Sequence, residues 1–103
     1  VDAHTLFANA STTKAFTALA AAQLVDEGKL RWDDRVADLV PGFALRDPVA
    51  TRELTLRDLL RHTLGFGDPG HLSYARDDSL PAILPRLRAL QAPAGARARF
   101  AYN

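Results

Sequence analysis

Residues 11–28 read Ser11-Thr12-Thr13-Lys14-Ala15-Phe16-Thr17-Ala18-Leu19-Ala20-Ala21-Ala22-Gln23-Leu24-Val25-Asp26-Glu27-Gly28. Ser11 and Thr12 offer hydroxyls to cap a first helical turn. Ala15, Phe16, Leu19, Ala22 and Val25 recur at three- and four-residue spacing, and Gly28 supplies a stop. The pattern predicts a helix over residues 11–27. Alanine raises helix propensity along the whole chain, so periodicity rather than propensity carries that assignment.

Toward the amino terminus, Thr5-Leu6-Phe7-Ala8 reads as a strand end or a loop. Beyond Gly28, Leu30 and Trp32 read as an extended segment leading to Asp33 and Asp34. Those two carboxylates are expected to cap a short helix through Val36, Leu39 and Val40, ended by Pro41. Pro41-Gly42 and Asp47-Pro48 make residues 41–54 a loop. Thr55-x-x-Asp58 is a capping box ahead of Leu59 and Leu60, opening a helix that stops near Gly65. Residues 65–79 are rich in Gly, Pro and Asp and read as a surface loop. Ser79 is placed to cap a further helix with Leu80, Ile83, Leu84, Leu87 and Leu90 on one face. Pro81 suits its first turn and Pro85 is expected to kink it. Pro93-Ala94-Gly95 breaks that helix, and Arg99-Phe100-Ala101-Tyr102-Asn103 reads as extended. The chain is mainly α, with little room for a sheet.

Composition removes several classes of function. With 13 basic and 12 acidic residues the formal charge is +1, and no basic patch marks a nucleic-acid or anionic-membrane surface. No window approaches the ~18 consecutive apolar residues of a membrane span. The absence of cysteine excludes disulfides, thiol catalysis and thiolate metal sites. His4 and His71 are isolated, with no carboxylate at ligand spacing, so no metal is expected. The 103 residues lack Met and begin without a signal-peptide pattern, which leads us to expect a processed chain or a fragment, one partial domain over residues 1–103. The compartment is left open.

Ser11-Thr12-Thr13-Lys14 is the constellation that could carry chemistry. Three residues apart at a helix start, Ser11 and Lys14 share a face. The helix's positive end and free backbone N–H groups favour negative charge developing at the hydroxyl. A lysine in a poorly solvated pocket loses its proton more readily, and a neutral amine in hydrogen-bond reach activates serine for acyl transfer. The Ser11 backbone N–H would supply one oxyanion donor. Taken alone, the pair reads by default as an N-cap serine followed by an exposed lysine. Asp58 reads as a capping residue, His62 as a histidine closing a helix, and Arg57, Arg61, Arg86 and Arg88 as solvated helix faces with surface ion pairs. Asp77-Asp78 is a loop charge pair, and Gly65-Phe66-Gly67 lacks the helix and lysine of a phosphate loop. A tyrosine such as Tyr102, on its own, is more often a packed aromatic.

Several ordered segments together resemble the serine β-lactamase and penicillin-binding-protein superfamily, in its class C β-lactamase, D-Ala-D-Ala carboxypeptidase and esterase-like branch. They are Phe7-Ala8-Asn9-Ala10-Ser11-Thr12-Thr13-Lys14-Ala15-Phe16-Thr17, Leu24-Val25-Asp26-Glu27-Gly28-Lys29-Leu30, Trp32-Asp33-Asp34-Arg35-Val36, Val40-Pro41-Gly42-Phe43 and, most distinctive, residues 54–66 from Leu54-Thr55-Leu56-Arg57-Asp58-Leu59-Leu60 through His62-Thr63 to Gly65-Phe66. The resemblance implies an α+β fold, an α/β sandwich with an all-α subdomain, of which this chain supplies the nucleophile helix and part of the helical subdomain. It implies Ser11 as nucleophile, with Lys14 and Tyr102 sharing the proton. Phe100-Ala101-Tyr102-Asn103 matches the start of the family's Tyr-x-Asn motif, whose Asn falls at position 104. Here Phe100 falls five residues beyond Gly95, a longer spacing than the family's. The third motif, Lys-Thr-Gly or a His-containing equivalent, does not occur in these residues.

The implied substrate is a small-molecule or peptide-like carbonyl compound: a β-lactam, an acyl-D-Ala-D-Ala peptide or a simple ester. The implied reaction runs through an acyl-enzyme without metal or organic cofactor. Members of the family are often exported. Without the sheet, the helix face carrying Phe16, Leu19 and Leu24 is expected to be exposed or to self-associate, and the isolated chain to be inactive. The competing readings are a non-catalytic peptidoglycan- or peptide-binding relative and a self-contained helical interaction domain.

Overall fold

Gly28 ends the first helix because only a residue without Cβ adopts its backbone φ of +70° at little cost. In the computed structural model that helix, α1, runs Thr13–Asp26 and follows a 3-10 turn at Ala10–Thr12. Gly28 N–H donates to Val25 O (2.9 Å) and Lys29 N–H to Leu24 O (2.9 Å), the paired bonds that satisfy the last carbonyls of a helix. The structure describes residues 1–65, 79–90 and 95–102. These form two units, Val1–Leu30 and Arg31–Asn103.

In the first unit the helix start differs from the expectation. Neither Ser11 nor Thr12 caps with its side chain, because Asn9 occupies the capping position of the 3-10 turn and the Thr12 hydroxyl donates to the Asn9 carbonyl. Apolar and small side chains occupy every side of α1 rather than one stripe. Ala21 is buried, whereas Phe16, Leu19 and Leu24 are exposed.

The second unit holds the core. Val36, Leu45, Ala50, Leu54 and Leu64 are buried together, and Val40, Phe43, Leu59, Leu87, Leu90 and Ala96 pack on them. Among the described residues four short helices converge on this cluster: α2 (Val36–Leu39), α3 (Pro48–Glu53), α4 (Leu56–Leu60) and α5 (Leu80–Leu87). Leu54, 1% exposed, is the largest fully buried side chain among the described residues. It sits where the chain passes from α3 into α4. There Val36 N–H donates to Leu54 O, and Leu56 N–H to Asp34 O. The two bonds flank an isolated antiparallel bridge between Arg35 and Thr55. Among the described residues the chain is helical with no strand.

Three local expectations are corrected. Residues 48–53 are helical rather than loop. The Asp47 carboxylate accepts from Val49 N–H (2.8 Å) and Pro48 fills the first turn, where its missing N–H costs nothing. Asp33 and Asp34 do not cap α2. Arg35 is its N-cap, Asp34 turns back to accept from Arg31, and Trp32-Asp33 lies in a turn rather than an extended run. Ser79 precedes α5 without a side-chain capping bond, and that helix ends at Leu87, so Leu90 packs on the core from the turn beyond it. Pro81 and Pro85 both lie within α5.

The Thr55/Asp58 capping box is present in both directions, and α4 stops at Leu60, five residues short of Gly65. The expected loop over 66–78, with His71 and Asp77-Asp78, lies outside the described residues, as do Pro93-Ala94 and Asn103.

Candidate active site

Ser11 lies inside the 3-10 turn and Lys14 in the first turn of α1, three residues apart on one side of the chain. Lys14 Nζ donates to Ser11 Oγ across 3.3 Å. Immediately before them Ala10 takes φ +44°, a left-handed conformation that costs a residue with a Cβ roughly 1–2 kcal/mol. Such strain persists where surrounding structure holds it. A hydroxyl with an amine in hydrogen-bond reach is the arrangement that nucleophilic acyl transfer uses. Both side chains are exposed, so the water-poor pocket expected around Lys14 is not formed by the described residues.

Tyr102 belongs to the second unit. Its ring lies 4.7 Å from the His62 ring, tilted by 40°, and it is 48% exposed. Phe100 meets the same His62 ring edge-on at 5.8 Å. His62 closes α4 just past its C-cap, at φ +55°. Ala101 N–H donates to His62 O (2.9 Å), so residues 100–102 lie along the end of α4.

Asp58 does more than cap α4. It is 5% exposed and accepts from Thr55 N–H (3.0 Å), Thr55 Oγ1 (2.8 Å) and Thr63 Oγ1 (3.3 Å). Arg97 then adds a fork, with Nε 3.0 Å from Oδ1 and Nη2 2.8 Å from Oδ2. Burial pushes the Asp58 carboxyl up, but the Arg97 and Thr55 hydrogen bonds outweigh it and hold the pKa at about 2. The same interaction raises the Arg97 guanidinium.

Arg97 is the residue that sequence reading missed, since its partner lies 39 positions away. Arg57, read as a solvated helix residue, donates through Nε and Nη2 to Asp33 (2.9 and 3.1 Å), which lowers the Asp33 pKa. Among the described residues no three His, Asp or Glu gather to hold a metal ion, and no helix is long and apolar enough to cross a membrane.

A serine–lysine contact at the start of a helix defines a class that comparison with known proteins makes specific. The β-lactamase family model matches residues 1–103, and the chain belongs to that family. Penicillin-binding protein 4 of Amycolatopsis lactamdurans is 42% identical over 78 residues, covering 76% of this chain and 20% of that protein. An unguisins hydrolase of Aspergillus violaceofuscus is 33% identical over 114 residues, covering 100% of this chain and 20% of the relative. Protein flp of Staphylococcus aureus is 40% identical over 57 residues, 55% of this chain and 11% of that protein. The chain therefore spans about a fifth of the length of the first two. No solved structure matches it significantly. The family match sets aside the reading of a self-contained interaction domain with an accidental resemblance.

Proposed function

We propose that the protein carrying this chain is a serine hydrolase that cleaves ester or amide carbonyls, β-lactams, acyl-D-Ala-D-Ala peptides or simple esters, through an acyl-enzyme. The observation that carries the reading is the 3.3 Å contact between Lys14 Nζ and Ser11 Oγ. In the resting contact Nζ donates. Attack requires it to run the other way, with the amine accepting the proton as Oγ bonds to the carbonyl carbon.

Ser11 is the nucleophile, while Lys14 and Tyr102 pass the proton on to the leaving group. The Ser11 backbone N–H is one oxyanion donor. Water then attacks the acyl-serine and returns the proton by the same route. No step calls for a metal or an organic cofactor. Relatives named penicillin-binding protein and hydrolase support this class of chemistry. The α+β arrangement, with this chain as the nucleophile helix and part of the helical subdomain, belongs to the same proposal.

The test is steady-state hydrolysis of a p-nitrophenyl ester by the full protein. Ser11→Ala and Lys14→Met are each expected to lower kcat by about 10³-fold or more, as removal of members of a nucleophile–base set does. Tyr102→Phe is expected to lower it by about 10²-fold, the range of one general acid–base group. Turnover unchanged in Ser11→Ala sinks the proposal, and a wild-type protein without turnover leaves a binding protein on the same scaffold.

A further inference from the structure

A phenol that moves a proton has to be held, and burial does not hold Tyr102: Arg99, Phe100 and Tyr102 are all exposed. What fixes this segment is a set of directed contacts at its two ends. At the near end, Arg97 N–H donates to Thr63 O (2.7 Å) and its guanidinium grips the Asp58 carboxylate with Nε and Nη2. Nη2 also donates to Glu53 O (2.7 Å), the last residue of α3. At the far end, Ala101 N–H donates to His62 O, and the His62 ring packs on Phe100 and Tyr102.

Both anchors sit in the left-handed backbone region, Arg97 at φ +65° and His62 at φ +55°. Residues with a Cβ stay there only when their surroundings over-determine the conformation. The Asp58 carboxylate that receives Arg97 is the one that closes the α4 capping box, so one buried anion joins the start of α4 to the segment leading into Tyr102. Arg97 lies between Gly95 and Phe100, in the stretch that is longer than the family's spacing.

We propose that Arg97, through its fork on Asp58, and His62, through its ring, are positioning residues that set the place of the Tyr102 hydroxyl for proton transfer. The proposal rests on the reading of Tyr102 as the acid–base phenol. Its test is a set of double-mutant cycles on p-nitrophenyl ester hydrolysis by the full protein, with thermal melting measured in parallel. Arg97→Met and His62→Asn are each expected to lower kcat by about 10- to 100-fold, the cost of misplacing a reacting group by around 1 Å, with KM moving less than about twofold. In a Tyr102→Phe background neither substitution is expected to lower kcat further, because both act through the phenol.

A kcat loss of the same factor with and without the phenol overturns the proposal, as does a change confined to the melting temperature. Should Arg97→Met fail to fold, His62→Asn carries the same cycle, since Asn tolerates the left-handed backbone while removing the ring. A Tyr102→Phe variant with full kcat overturns the underlying reading of Tyr102. That outcome is distinct from additive losses in a protein whose Tyr102→Phe variant is impaired.

Discussion

Asp58→Ala tests how much of the second unit hangs on one buried carboxylate. Asp58 is 5% exposed and takes hydrogen bonds from Thr55, Thr63 and Arg97. Removing one partner of a buried ion pair costs about 3–5 kcal/mol. The Arg97 side chain is 50% exposed and recovers hydration when its partner goes, which places the loss near the lower end, about 3 kcal/mol.

The ionisation of the group leads to a similar size. A carboxyl held at about 2 in the folded state against an ordinary 3.8 contributes about 2–3 kcal/mol at neutral pH. Because the folded pKa is the lower one, that contribution is fully present above the unfolded value and is lost as pH falls through 3.8 toward about 2. Urea unfolding of wild type and variant is expected to show a gap of about 3 kcal/mol at pH 7 that narrows steadily below pH 4. A gap under about 1 kcal/mol at pH 7, or one that stays constant down to pH 2, refutes the reasoning.

Leu54→Ala is expected to cost about 2–5 kcal/mol by urea unfolding, because a side chain 1% exposed leaves a cavity its neighbours fill only in part. Asp47→Ala removes the cap on Val49 N–H and is expected to cost about 1 kcal/mol, with a smaller loss for Asp47→Asn, which keeps an accepting oxygen. The isolated 103 residues are expected to show no ester turnover that depends on Ser11, measured beside the Ser11→Ala form. Turnover abolished by that substitution would contradict this.

What could be read from the sequence was what is local. The Thr55-x-x-Asp58 box spans four residues and both of its hydrogen bonds are within that span, so the residue types are the structure. Ser11 and Lys14 are likewise joined by helical spacing alone. Asp47-Pro48 carries a local signal too, a capping carboxylate followed by the residue best suited to a first helical turn. The same dipeptide also reads as a loop because Pro breaks helices, and the buried Ala50 that decides the matter is a tertiary fact.

Asp33 and Asp34 show the converse. Two acids before an apolar run satisfy the capping pattern, but Arg31 and Arg57 compete for them and win. The Asp58–Arg97 pair and the seating of residues 100–102 on His62 join parts of the chain 38 or more positions apart. No periodicity encodes them. The candidate site divides the same way: its serine and lysine are a local pattern, while the surroundings of Tyr102 come from tertiary packing.

The most direct test of the central claim is to treat the full protein with a fluorophosphonate or with penicillin and map the modified residue by peptide mass spectrometry. The account predicts a single covalent adduct on Ser11, lost in Ser11→Ala and slowed by Lys14→Met. Labelling on another residue, or none under conditions that label an active serine hydrolase, would contradict it.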